Sequence, residues 1–157
     1  MSARKMVKKG FTLVEILIVV VILGILAAIV IPQFSSASEN AKASSSISTL
    51  QSIRSQLELY QIEHNGEYPD LSGSWDAMTK KTDAAGTVDS SGKFGPYLQK
   101  APTNPFTRNS AVGTDWAYDS TSGEIRLKLT GKALTNYADY GIPWSDVDGE
   151  SAPSSDD

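Results

Sequence analysis

Residues 9–32 read KGFTLVEILIVVVILGILAAIVIP, and this stretch decides the fold. From Phe11 to Ile31 only Thr12 and Glu15 are polar, and Ile16–Ile31 carries no polar side chain at all. A run of about 20 apolar residues is long enough to cross the hydrocarbon of a bilayer as a helix. Arg4, Lys5, Lys8 and Lys9 precede it with no acidic residue among them. Such a basic flank stays in the cytoplasm, which sends everything after Pro32 to the other side.

The apolar run does not read as an ordinary secretory signal. It is too long, Glu15 interrupts it, and Ala27-Ala28 is followed by more apolar residues rather than by a polar boundary. A plain membrane anchor remains open on composition. Glu15 argues for something more, because an ionisable group near the middle of a span costs about 2.5 kcal/mol or more and marks a functional site. Glu15 lies five positions after Gly10. A cut between Gly10 and Phe11 creates a cationic α-amine beside the membrane, and a carboxylate at this depth is a partner for such an amine, on the same chain or on a neighbour.

These residues resemble a known family. Lys9-Gly10-Phe11-Thr12-Leu13-Val14-Glu15-Ile16, continued by Leu23-Gly24-Ile25-Leu26-Ala27-Ala28 and closed by Pro32, is similar to the cleavage and methylation motif of type IV prepilins and pseudopilins. The resemblance implies that prepilin peptidase reads Gly10 as the last leader residue and that Phe11 becomes an N-methylated N-terminus. It also implies that Glu15 pairs with the Phe11 amine of an adjacent subunit, and that Pro32 marks a helix bend or local melting. Proline predicts a kink on its own account, since it removes a backbone donor and crowds the preceding turn.

Past Pro32 the pattern turns amphipathic. Ile47, Leu50, Ile53, Leu57 and Tyr60 recur at steps of three and four, with serines, glutamines and Glu58 between them, which is one apolar stripe on a helix. Asn65-Gly66 and then Pro69 stop it. One helix over about 11–63 would run roughly 80 Å. Asp115–Asp119 and Glu124–Leu129 each alternate polar and apolar residues around Thr121-Ser122-Gly123, the pattern of a hairpin. A short helix is expected near Trp75-Asp76-Ala77-Met78.

The expected fold is α+β, with a long N-terminal helix on a small antiparallel sheet. The divisions are a basic leader (1–10), a membrane or filament-core helix (11–32), its amphipathic continuation (33–64), a globular region (65–145) and an acidic, Asp/Ser/Pro-rich tail (146–157) that reads as disordered.

A second resemblance comes from Leu59-Tyr60 with Asn65-Gly66-Glu67-Tyr68-Pro69, from Gly95–Pro102 with Asn104-Pro105, and from Trp116–Asp119 with Gly123-Glu124-Ile125. These are similar to the G-type major pseudopilins of type II secretion. The chain has no cysteine, unlike many type IVa pilins, whose C-terminal loop a disulfide closes. Major pseudopilins bind calcium in a C-terminal loop, which makes Asp139, Asp146 and Asp148, with Glu150 nearby, candidate ligands. A solvated acidic tail is the competing reading.

Composition narrows function further. Of 14 basic residues, setting aside the four before the apolar run leaves 10 against 18 acidic ones, a balance unsuited to binding nucleic acid. Without cysteine, thiolate chemistry is excluded. His64 is the only histidine and reads as a solvated or capping residue beside the helix stop. No phosphate loop or catalytic triad can be assembled, so nothing supports an enzyme. Trp116 reads as core, and Trp75 and Trp144 stay undecided.

The expected role is therefore a subunit of a homo-oligomeric periplasmic pseudopilus that supports type II secretion. It would be processed by prepilin peptidase and handled by an inner-membrane assembly platform with minor pilin-like subunits. It would start in the bacterial inner membrane, with its N-terminus cytoplasmic and its body periplasmic. A surface pilus, a non-assembling bitopic protein and an exported soluble protein are the alternatives.

Overall fold

The structure, a computed structural model, describes residues 10–148. Helix α1 spans Leu13–Glu63, and α2 spans Asp76–Thr79. Strands β1 (Trp116–Asp119) and β2 (Glu124–Lys128) follow, then α3 (Lys132–Thr135), a single 3-10 turn at Trp144–Asp146, and β3 (Val147–Asp148). The chain divides into two compact units, one ending at Ser38 and one beginning at Glu39, and α1 contributes to both.

In the first unit α1 has no core of its own. Its large apolar side chains from Leu13 to Phe34 stand between 42 and 85 % exposed. Helical geometry satisfies the backbone internally whatever the surroundings, so the segment suits a medium without water. The helix is assigned straight through Pro32. Proline leaves the carbonyl four residues back, on Ala28, without its donor, and the Ser36 hydroxyl donates to the Pro32 carbonyl at 3.2 Å.

In the second unit α1 becomes one wall of the core. Ala43, Ser46, Leu50, Ile53, Leu57 and Tyr60 are buried. Their spacing of three and four keeps one narrow face turned inward. Ile47, expected in the stripe, is only half-buried, and Ala43 and Ser46 extend the stripe instead. Against this face lie Trp116, Ile125 and Leu127 of the sheet with Val147, Leu71, Met78 and Ile142. Each fully buried Leu, Ile or Met contributes about 1.5–3 kcal/mol relative to exposure. The helix stops as its sequence dictates: Asn65 and Gly66 take left-handed φ of 57° and 92°, and the Gly66 N–H closes on the Gln61 carbonyl at 2.8 Å.

The hairpin pairs Trp116 with Leu127 and Asp119 with Glu124. Its loop is folded by the Asp119 carboxylate, which accepts from Thr121 N–H and the Ser122 hydroxyl. Gly123 at φ 70° passes so close to the Tyr68 ring that no side chain fits there. Two expectations need correction. The sheet is mixed rather than antiparallel, because β3 joins β2 in parallel with Leu127 opposite Val147. A strand of two residues leaves no alternation to read, and its pairing is non-local. The acidic tail does not begin at Asp146, since Asp146 is 8 % and Val147 1 % exposed and both belong to the body. Residues 149–157 of that tail, like residues 1–9 of the leader, lie outside the described residues.

Asn104 ties the loop before β1 to the sheet. Fully buried, it donates through Nδ2 to the carbonyls of Asp115 (2.8 Å) and Lys128 (3.1 Å), and its Oδ1 accepts from Phe106 N–H (2.9 Å). Ser46 is the contrasting case: its hydroxyl is buried and has no partner among the described residues. Asn104→Ala is expected to lower unfolding free energy by about 3 kcal/mol, because it strands two acceptors. Ser46→Ala should be neutral or stabilise by up to about 1 kcal/mol. Denaturant unfolding of the detergent-solubilised chain, followed by tryptophan fluorescence, measures both.

Candidate functional site

The site is built at the start of α1. Thr12 is the residue before the first helical position, and Glu15 is the third within it. The Glu15 Oε2 accepts from Thr12 N–H and from the Thr12 hydroxyl, both at 2.7 Å, while Thr12 Oγ1 faces Glu15 N–H at 3.3 Å. This is a capping box, in which the first-turn donors of the helix are satisfied by two of its own side chains. The Thr-x-x-Glu spacing was in the sequence, where Glu15 attracts notice for its charge alone. The box places a carboxylate at the positive end of the helix dipole, and Glu15 Oε1 makes no hydrogen bond among the described residues. Phe11, just outside the cap, is 83 % exposed. The arrangement therefore presents a fixed carboxylate, with one free oxygen, immediately after the Gly10–Phe11 bond.

The candidate calcium ligands do not converge. Asp139 is exposed. Asp146 Oδ1 pairs with Arg54 Nη1 at 2.8 Å, and Asp148 Oδ2 with Lys128 Nζ at 3.4 Å. Among the described residues no three His, Cys, Asp or Glu side chains form a group able to hold a metal ion. Glu150 lies outside the described residues.

His64 is not solvated, as its position beside the helix stop suggests, but 2 % exposed. It falls four residues after Tyr60, so it continues the buried stripe of α1, and that spacing was the signal for its burial. Its ring stacks on Tyr60 with centroids 3.8 Å apart. Nδ1 lies 2.9 Å from the Tyr60 carbonyl and Nε2 2.9 Å from Thr82 Oγ1. A carbonyl only accepts, so Nδ1 carries a proton toward it, and Nε2 shares its hydrogen bond with the Thr82 hydroxyl. The histidine thus pins the 82–94 loop to the helix end. Tyr97 reinforces the junction by donating to Glu63 Oε2 at 2.6 Å. Burial first, and the Glu63 carboxylate second, push the Tyr97 phenol upward, so it stays a donor at any physiological pH. Trp116 is core, as expected, and Trp75 proves to be core as well; Trp144 packs half-buried against Tyr137.

Arg54 follows Ile53 of the buried stripe on α1. Its Nη2 donates to the Ile125 carbonyl at 2.9 Å while Nη1 holds Asp146. One guanidinium thereby joins α1, β2 and the 3-10 turn.

A model of the prokaryotic N-terminal methylation motif matches residues 5–31, and one described as type II secretion system (T2SS), protein G, matches residues 33–133. The chain belongs to the type II secretion system protein G family. It is 38 % identical over 99 residues to the type II secretion system core protein G of Pseudomonas aeruginosa, covering 63 % of this chain and 68 % of that one. Identity to the core protein G of Klebsiella michiganensis is 29 % over 150 residues, covering 92 % and 93 %. A fimbrial protein of Neisseria meningitidis is 29 % identical over 140 residues, covering 87 % and 71 %. No solved structure gave a significant match. As a protein G, the chain is a major pseudopilin, a structural and non-enzymatic component of type II secretion.

Replacing Arg54 with Met is expected to destabilise the body by about 3 kcal/mol, since it leaves the Asp146 carboxylate buried without a counter-charge. Arg54→Met combined with Asp146→Asn should recover part of that loss, as read by the midpoint of urea unfolding.

Proposed function

We propose that the chain is cut between Gly10 and Phe11 by prepilin peptidase, methylated on the Phe11 amine, and polymerised from the inner membrane into a periplasmic pseudopilus. In this reading the exposed apolar part of α1 forms the filament core, and the body from Glu39 onward forms its surface. Before assembly the same helix anchors the subunit, with residues 1–10 cytoplasmic and the body periplasmic. An inner-membrane platform and minor pilin-like subunits are the implied partners.

The observation that carries the proposal is the capped helix start. Glu15 is held by Thr12 through Oε2 alone, and the other oxygen remains to accept from a neighbour's methylated amine. An amine–carboxylate pair removes two charges from lipid at once, and it forms only when successive subunits are in axial register. The methylation-motif match across residues 5–31 supports the cut. Pro32, which deprives one carbonyl of its donor, is proposed as the place where the helix yields when subunits pack.

A surface pilus is the second reading, favoured by the likeness to a fimbrial protein. Loss of exoprotein secretion without loss of surface filaments in a deletion strain separates the two.

The N-terminal peptide of the membrane-purified protein should begin at Phe11 and carry one added methyl group by intact mass; a peptide still retaining Gly10 in cells with active prepilin peptidase sinks the proposal. Glu15→Leu should insert and be cleaved normally, yet lose at least about tenfold in the yield of filaments released from spheroplasts, since each 1.4 kcal/mol lost is tenfold in an association constant.

A further inference from the structure

We propose that the cavity where α1 ends is a socket for a guanidinium of another copy of the chain, that of Arg108. The cavity has a volume of about 300 Å³ and is lined by Tyr60, Tyr68, Glu67 and Asp70, with Gly86 across from them. No lysine or arginine among the described residues lines it.

Tyr60 is 2 % exposed, yet its hydroxyl takes part in no hydrogen bond among the described residues. That hydroxyl points at Gly86, where a Cβ would lie 2.5 Å from it, so only glycine leaves the space open. The hydroxyl is the end of the ring that the cavity reaches, so whatever enters the cavity meets it as a hydrogen-bond partner. Neighbouring His64 does not partner it, since both its ring nitrogens are already engaged. Burial and then Asp83 push the Tyr60 phenol upward, keeping it neutral, whereas the Ser72 amide holds the Asp70 carboxyl below its ordinary value and keeps it ionised. The cavity thus offers a phenol oxygen and two carboxylates, a set of acceptors that calls for a cation with several donors. A guanidinium carries five N–H groups in a planar fork, where an ammonium is a single point charge.

The described residues include three arginines. Arg54 is paired with Asp146 and Arg126 with Glu124, while the Arg108 side chain has neither carboxylate nor hydrogen bond among the described residues. It is exposed, on a turn closed by Arg108 N–H to the Asn104 carbonyl and Asn104 N–H to the Asn109 carbonyl, both 2.8 Å. Its φ of 63° is left-handed, a conformation that disfavours a long side chain. The fold presents this guanidinium on a rigid turn instead of leaving it on a free loop. A second copy as the source rests on the filament reading above, in which bodies are repeated side by side.

The test uses the full-length chain in cells with active prepilin peptidase. Arg108→Glu and Glu67→Arg should each lower the yield of filaments released from spheroplasts about tenfold, as loss of a desolvated charge pair does, and the two together should restore it. Because the chain has no cysteine, Arg108→Cys with Glu67→Cys should give disulfide-linked dimers and longer ladders, whereas Lys132→Cys with Glu67→Cys should not. Normal filaments from Arg108→Glu, failure of the paired reversal to restore them, or equal ladders from both cysteine pairs would overturn the proposal. If Arg108→Glu assembles normally but Glu67→Arg blocks secretion, the guanidinium comes from a secreted client and the proposal is equally lost. Glu15→Leu run in parallel isolates the filament reading: an undiminished filament yield from that variant removes the Glu15 register contact on which that reading rests, whereas a lowered yield beside normal Arg108→Glu filaments refutes the socket alone.

Discussion

The body depends on a single stripe of α1 remaining buried from Ala43 to His64. Steps of three and four carry that face from a small residue at one end to a stacked histidine at the other, and each layer of the core meets it in turn. Trp116, Ile125 and Leu127 supply the sheet side; Leu71, Met78 and Ile142 come from loops that have little regular structure of their own. Beyond α1 the described residues of the body form strands of two to five residues and helices of three or four. A sheet of that size is marginal alone, so the helix serves as the template on which the rest is laid.

The loops compensate for the sparse sheet with polar side chains that act as struts. Asn104 satisfies two carbonyls and an amide from three segments, His64 bridges helix and loop, and Arg54 spans helix, strand and turn. Each is buried or half-buried, and each makes at least two hydrogen bonds to separate segments, the condition under which a polar group in a core specifies one arrangement instead of weakening it. Ser46 is the exception on the same helix, and its burial with no partner indicates that a small side chain is required there more than a polar one.

Much of this was legible beforehand, and the reasons differ from element to element. The apolar run and its glutamate are read from composition, since no soluble core needs sixteen consecutive residues without a polar side chain. The stripe and the hairpin are read from periods of 3.6 and 2. Asn65-Gly66 is read from turn chemistry. What escaped the reading are pairings across long separations. Asp146 looked like the start of a solvated tail because its neighbours are Asp, Ser and Pro, yet its partner Arg54 lies 92 positions away. Two-residue β3 has no period to detect, and its parallel pairing with β2 joins segments about twenty residues apart. His64 was within reach of the helical count from Tyr60, but its polarity and its place beside Asn65-Gly66 suggested solvent. At the N-terminus the motif residues were plain, whereas the capping of Glu15 by Thr12 required noticing that the same two residues also begin a helix.

Arg54 has a further consequence. Its guanidinium occupies the Ile125 carbonyl on β2 just ahead of the point where β3 begins to pair. An unoccupied carbonyl at that position would extend an open strand edge, the usual template for unintended β-addition between chains. In the proposed filament, with many identical bodies at high local concentration, such edges would compete with the proposed helix-to-helix contacts and divert subunits into tangled aggregates. A side chain that blunts β2 from within its own molecule gives nothing for a neighbouring strand to copy, so crowding along the fibre does not favour misassembly at that point.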